Sequence, residues 1–225
     1  MNKLEVLYKM SKAMKEKEKI SGTVNLVGTS EKGEFANITN NFEKDIKNKK
    51  MKIDAKLNVN TEEVKAEKDI VKEFDFEKLH EGHRHGGHHC GRGNGHMHGH
   101  GRCGNKFEKL EFLFKTLNDM ELSEEGDLKV ITLDIKDIIK KKKEKMKEFH
   151  KNHEHHGHHH HMEDGKCEEL KEVFKIKHAI FKEILSCESE KAVLRLIIDK
   201  DFTIKSVEVK SEGDKKVEFK ADLNY

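Results

Sequence analysis

The sequence predicts an α+β fold: a curved antiparallel sheet covered on its apolar side by helices, with two histidine-rich loops inserted into it. Three observations predict this. "MKIDAKLNVN" (51–60) alternates strictly, setting Met51, Ile53, Ala55, Leu57 and Val59 on one face of a strand and polar side chains on the other. Other stretches repeat apolar residues at helical spacing. Sixteen of the 17 histidines fall in two runs that have no apolar period, within 80–103 and 150–161.

The elements follow in order. Residues 3–19 form a helix with Leu4, Leu7, Ser11 and Met14 on one stripe and Val6, Met10 and Ala13 beside it; Ser21-Gly22 ends it. Strands follow at 23–29, 34–42 and 51–60, and a less regular one at 63–76 runs through Val64, Ala66, Ile70, Phe74 and Phe76. Beyond the first histidine run, Phe107, Leu110, Leu113, Phe114, Leu117 and Met120 mark a second helix. Residues 127–135 form a strand, and a lysine-rich helix runs from about 136 to 149. Residues 167–186 have helical spacing, although "FKIKHAIF" (174–181) reads equally as a strand. The chain closes in an antiparallel meander, "AVLRLIID", "TIKSVEVK" and "KVEFKADLNY", with turns at "DKD" and "SEGD". One-faced strands with few helices call for helices packed on the apolar side of the sheet.

A chain of 225 residues holds one domain here, 1–225, with insertions at 80–105 and 150–166. Charged residues make up 39% and hydrophobic ones 34%, but the net charge is only +2 and the signs interleave, so folded segments joined by insertions fit better than disorder. Near-balanced charge and 6% aromatic residues argue against nucleic-acid binding. No stretch approaches the ~18 apolar residues of a membrane span, and the first residues lack a secretory leader's apolar core. The expectation is a cytoplasmic protein with Cys90, Cys103, Cys167 and Cys187 as thiols.

A starting helix, long one-faced strands and the closing "IIDKDFTIKSVEVK…KVEFKADL" meander resemble the bacterial lipoprotein-carrier fold of the LolA/LppX-like group. The resemblance implies an open half-barrel whose apolar concavity is covered by helices. Two features depart from that group: the absence of an export leader or lipidation cysteine, and the histidine-rich insertions. Lipid carriage does not follow from a shared fold.

The first run presents His80, His83, His85, His88, His89, Cys90, His96, His98, His100 and Cys103. Nine of the 16 glycines lie in 82–104, which deprives this stretch of intrinsic structure. The second run presents His150, His153, His155, His156, His158, His159, His160 and His161. Neutral imidazole is the commonest transition-metal ligand and thiolate a softer one. A chain with many such ligands assembles a four-coordinate site by choosing among them, which suits Zn²⁺; Ni²⁺ and Cu²⁺ bind imidazole at least as well. Cys90 and Cys103 have twelve residues between them and no CxxC pair, and HExxH is absent, so the pattern is several exchangeable sites and not one fixed site.

The remaining candidates read as structural. His178 is expected to be partly buried, Cys187 a small core or surface residue, and Met10 and Met14 core filler; Cys167 follows the second run closely enough to join it. No phosphate-binding glycine loop, GxSxG elbow or HExxH helix occurs, so no enzymatic activity is expected. The alternative to a metal-binding protein is a scaffold whose sheet face holds an apolar ligand or a protein partner.

Overall fold

The computed structural model describes residues 1–76, 106–153 and 167–225. The first half runs α1 (Lys3–Lys15), β1 (Lys19–Ser30), β2 (Gly33–Asp45), β3 (Lys50–Asn60) and β4 (Lys65–Asp75). The second runs α2 (Lys106–Asp119), β5 (Glu121–Glu125), β6 (Leu128–Asp134), α3 (Lys136–His153), α4 (Cys167–Ser186), β7 (Ser189–Ile198), β8 (Ile204–Gly213) and β9 (Lys215–Asn224).

Among the described residues the nine strands make one open sheet, ordered β4-β3-β2-β1-β9-β8-β7-β6-β5, with antiparallel pairing throughout. The chain builds outward from β1 to the β4 edge, crosses to the β5 edge, and returns inward to set β9 against β1. Residues 76–120 are therefore the crossover between the two edges, and the first histidine run belongs to it. The second run begins on the last turn of α3 and continues into the segment that leads to α4, within the connection from β6 to its neighbour β7.

Register explains the one-sided pattern. Leu26 stands opposite Ile38 and Phe219, Ile38 opposite Leu57, and Phe219 opposite Val209. Leu194 faces Val209, while Ile131 faces Leu196, which in turn faces Val207. A slip of one residue in any pair would send its apolar set to the other face, so burial of this face holds the register. Gly28 has a packing role: a Cβ there would come within 2.3 Å of the Phe35 ring, which lies across it.

Two clusters seat helices on the apolar face. Ile176 and Ile180 of α4 pack with Phe35, Ala36, Val59 and Val217. Val6 of α1 packs with Ile131 and Ile198, joined by Leu7, Met10, Leu122 and Phe202. Polar contacts reinforce α4: Lys215 Nζ pairs with Glu183 and donates to Ser186 Oγ, Lys182 pairs with Glu63, and Lys143 Nζ donates to the Cys187 carbonyl.

Full helical cover, the sequence expectation, is not what forms. Val24, Phe42, Ile53, Val207, Val209, Leu194 and Phe219 on the same face stay only partly buried. Nine strands at about 4.8 Å spacing span roughly 40 Å, whereas a helix covers about 10 Å. α2 adds little, because Leu113 and Phe114, which the helical stripe assigns to the core, are exposed.

Several boundaries also move. α1 ends at Lys15, and Ser21-Gly22 lies inside β1, where ladders to both β2 and β9 override the local turn signal. Leu4 is exposed, the buried side of α1 being centred on Val6. β5, "ELSEE", escapes sequence reading because Leu122 is its one apolar residue. The 174–181 ambiguity resolves as helix, with Ile176, Ala179 and Ile180 buried and Phe181 turned out. Because Ile176 is 2% exposed in the larger cluster, Ile176→Ala should cost about 2–5 kcal/mol of unfolding free energy. Urea denaturation measures this; a loss under about 0.5 kcal/mol would mean that α4 is not seated as described.

Candidate metal-binding segments

Of the predicted ligands, His80, His83, His85, His88, His89, Cys90, His96, His98, His100 and Cys103 lie outside the described residues. So do His155, His156, His158, His159, His160 and His161. His150 and His153 are placed on the last turn of α3, which runs four residues beyond the end expected near 149. A spacing of three sets them one turn apart on one side of the helix. Sequence reading missed this spacing, because it ended the helix near 149. Cys167 opens α4, so residues 154–166 connect the two helices.

The described residues outside the runs offer no competing centre. Among them, no group of three or more His, Cys, Asp or Glu stands close enough together to hold a metal ion. His178 is exposed on α4, contrary to the expectation of partial burial. Its neighbours Ala179 and Ile180 take the buried side, leaving position 178 on the solvent side of the helix. Cys187 is buried, and its thiol donates to the Lys215 carbonyl at 3.2 Å with Ser189 Oγ at 3.6 Å. That thiol fills core space and is already hydrogen-bonded, as a small buried cysteine is.

A second feature belongs to the sheet. A groove of about 870 Å³ opens where β1, β2, β3, β4 and β9 end, lined by Ile20, Met51, Phe74 and Tyr225 among alternating lysines and carboxylates. By register Ile20, Lys44, Met51 and Phe74 form one cross-strand row. The Lys44 ammonium sits 5.8 Å from the centre of the Phe76 ring. Burial pushes the Tyr225 phenol up to about 12, with the Asp199 carboxylate adding to it, and its hydroxyl donates to the Ile204 carbonyl at 2.9 Å. Tyr225 is therefore a neutral hydrogen-bond donor in the physiological range. Asp45 is held below the usual carboxylate range by hydrogen bonds from the Asn48 backbone and side chain. The sequence showed the alternation that supplies Met51 and Phe74 but not that five strands end together.

No helix among the described residues is long and apolar enough to cross a membrane. No family model matches the chain, and no curated protein matches it.

Proposed function

We propose that the protein binds transition-metal ions through its two histidine-rich segments and serves as a cytoplasmic buffer, store or delivery protein for Zn²⁺, Ni²⁺ or Cu²⁺. One observation carries this reading: sixteen of 17 histidines are confined to two short runs, with Cys90 and Cys103 in the first. The topology supports it, since both runs fall in connections of the sheet and the scaffold can be kept while they bind. Many ligands competing for few positions give exchange between sites, which suits storage and transfer better than permanent retention. Each bound imidazole must be neutral, so binding near its own pKa releases protons.

A second reading rests on the partly buried apolar stripe and the groove at its end. In it the open sheet curves as a half-barrel, as in the lipoprotein-carrier group, and the apolar face takes an apolar ligand or a protein partner.

Calorimetric titration of untagged, reduced protein with Zn²⁺ or Ni²⁺ tests the first reading. The expected result is more than one equivalent bound per chain, with retention on a metal-chelate column. Saturation at a single tight equivalent would point to one fixed site and against a buffer.

A further inference from the structure

On the apolar face of the sheet we infer a site for a metabolite-sized amphiphilic carboxylate, its apolar body against the strands and its carboxylate between Lys44 and Lys72. This rests on the second reading, in which that face is a ligand site, and names the ligand's chemistry. Register makes the face continuous. Ile20, Lys44, Met51 and Phe74 form the row at the groove. Two residues along each strand, Leu223, Gly22, Phe42, Ile53 and Lys72 form the next row on the same face. Phe42, Met51, Ile53 and Phe74 are partly buried, whereas Lys44 and Lys72 are exposed. Lateral separation of these two lysines is two strand spacings, roughly 10 Å, which a pair of lysine side chains can close on one carboxylate.

Charge selects the occupant. The chain carries 43 Asp and Glu residues. Yet from the Ala36–Val59 row to the groove, β1–β4 and β9 set none of them on this face; its charged positions there are Lys44, Lys68 and Lys72. The carboxylates of these strands take the alternate positions, on the other face, where lysines answer them: Glu43 stands opposite Lys52, and Lys52 opposite Glu73. Lys44 instead stands between Ile20 and Met51. Neither Lys44 nor Lys72 has an ion-pair partner among the described residues. A carboxylate joined to an apolar group takes charge-assisted hydrogen bonds from such lysines while its body covers the apolar rows. A neutral apolar ligand leaves them unused, and a cationic one is repelled. The groove of about 870 Å³ falls within the ~300–1,000 Å³ of small-molecule sites, so the occupant is a small molecule and not a protein surface.

Equilibrium dialysis of the full chain against radiolabelled octanoate tests the site. A chelator keeps metal from bridging the carboxylate to the histidines, and pH 8 keeps those histidines neutral. The expected result is saturable binding of octanoate, with octan-1-ol and octylamine bound at least about tenfold more weakly. Lys44→Met with Lys72→Met should weaken octanoate by about tenfold or more and leave octan-1-ol unchanged. Lys44→Arg with Lys72→Arg should retain octanoate, since guanidinium also pairs with carboxylate. The melting midpoint should not move in either variant, because both positions are exposed. Equal binding of octanoate and octan-1-ol, or octanoate binding indifferent to the Met substitutions, would overturn the inference while the ligand-site reading stands. Binding of none of the three would overturn both. Co-sedimentation with phosphatidylglycerol vesicles in the absence of octanoate binding would also overturn it, and would assign the lysines to a membrane surface.

Discussion

Replacing residues 82–104 and 154–161 with short Gly/Ser linkers, together with His150→Ala and His153→Ala, should abolish nearly all metal capacity and leave the fold intact. The last two positions are substituted and not deleted because they belong to α3. The two core clusters draw on α1, α4 and the strands, none of which the change touches. Loop closure costs only about 0.6 kcal/mol per doubling of length, so shortening the first insertion should shift stability by about 1 kcal/mol or less. Apo-protein should therefore melt cooperatively within a few degrees of the parent. Metal present at about 100 times its Kd stabilises a one-site protein by about 2.7 kcal/mol, and this increment should vanish in the variant. Differential scanning calorimetry with and without Zn²⁺ measures both effects. If the apo-variant unfolds, the runs are structural; if it folds and keeps its metal, the ligands lie elsewhere, and Cys167, His178 and Cys187 are the first to substitute.

Acidification should weaken binding by orders of magnitude over a narrow range. A free imidazole titrates near 6.5, and proton and metal compete for the same lone pair. Between pH 7 and 5.5 the neutral fraction of such a group falls roughly eightfold. A site using four histidines should then lose roughly 4,000-fold in affinity across that interval. The sign is fixed by the ligand: the protonated form is the one that cannot bind, so affinity falls as pH falls. Competition titrations against a calibrated chelator at several pH values give the curve. A flat curve would assign binding to carboxylates, which stay ionised across that interval.

The open antiparallel sheet was legible where a strand's own alternation reports which face is buried. Met51 to Val59 is such a case, and so is the Val217, Phe219, Ala221, Leu223 series of β9; both stand in the sheet with those residues on its apolar face. Alternation could not reveal β5, which has one apolar residue because it is a short polar edge. Nor could helical spacing tell a stripe that is buried from one that is left open. Leu113 and Phe114 satisfy the period yet stay exposed, whereas Ile176, Ala179 and Ile180 of α4 are buried with Phe181 beside them exposed. Which apolar stripe is used depends on where the sheet lies, and that is set by pairings distant in sequence. The metal-binding segments show the reverse case. Their chemistry is carried by composition and needs no register to be read, while the His150/His153 pair depended on how far α3 continues.

The most direct measurement is the metal content of untagged protein isolated from its own cells without chelators, by mass spectrometry of the metal and of any extracted lipid. Metal-binding function predicts more than one equivalent of Zn, Ni or Cu per chain and no stoichiometric lipid. Metal-free protein carrying a bound lipid would contradict it and assign function to the apolar sheet face.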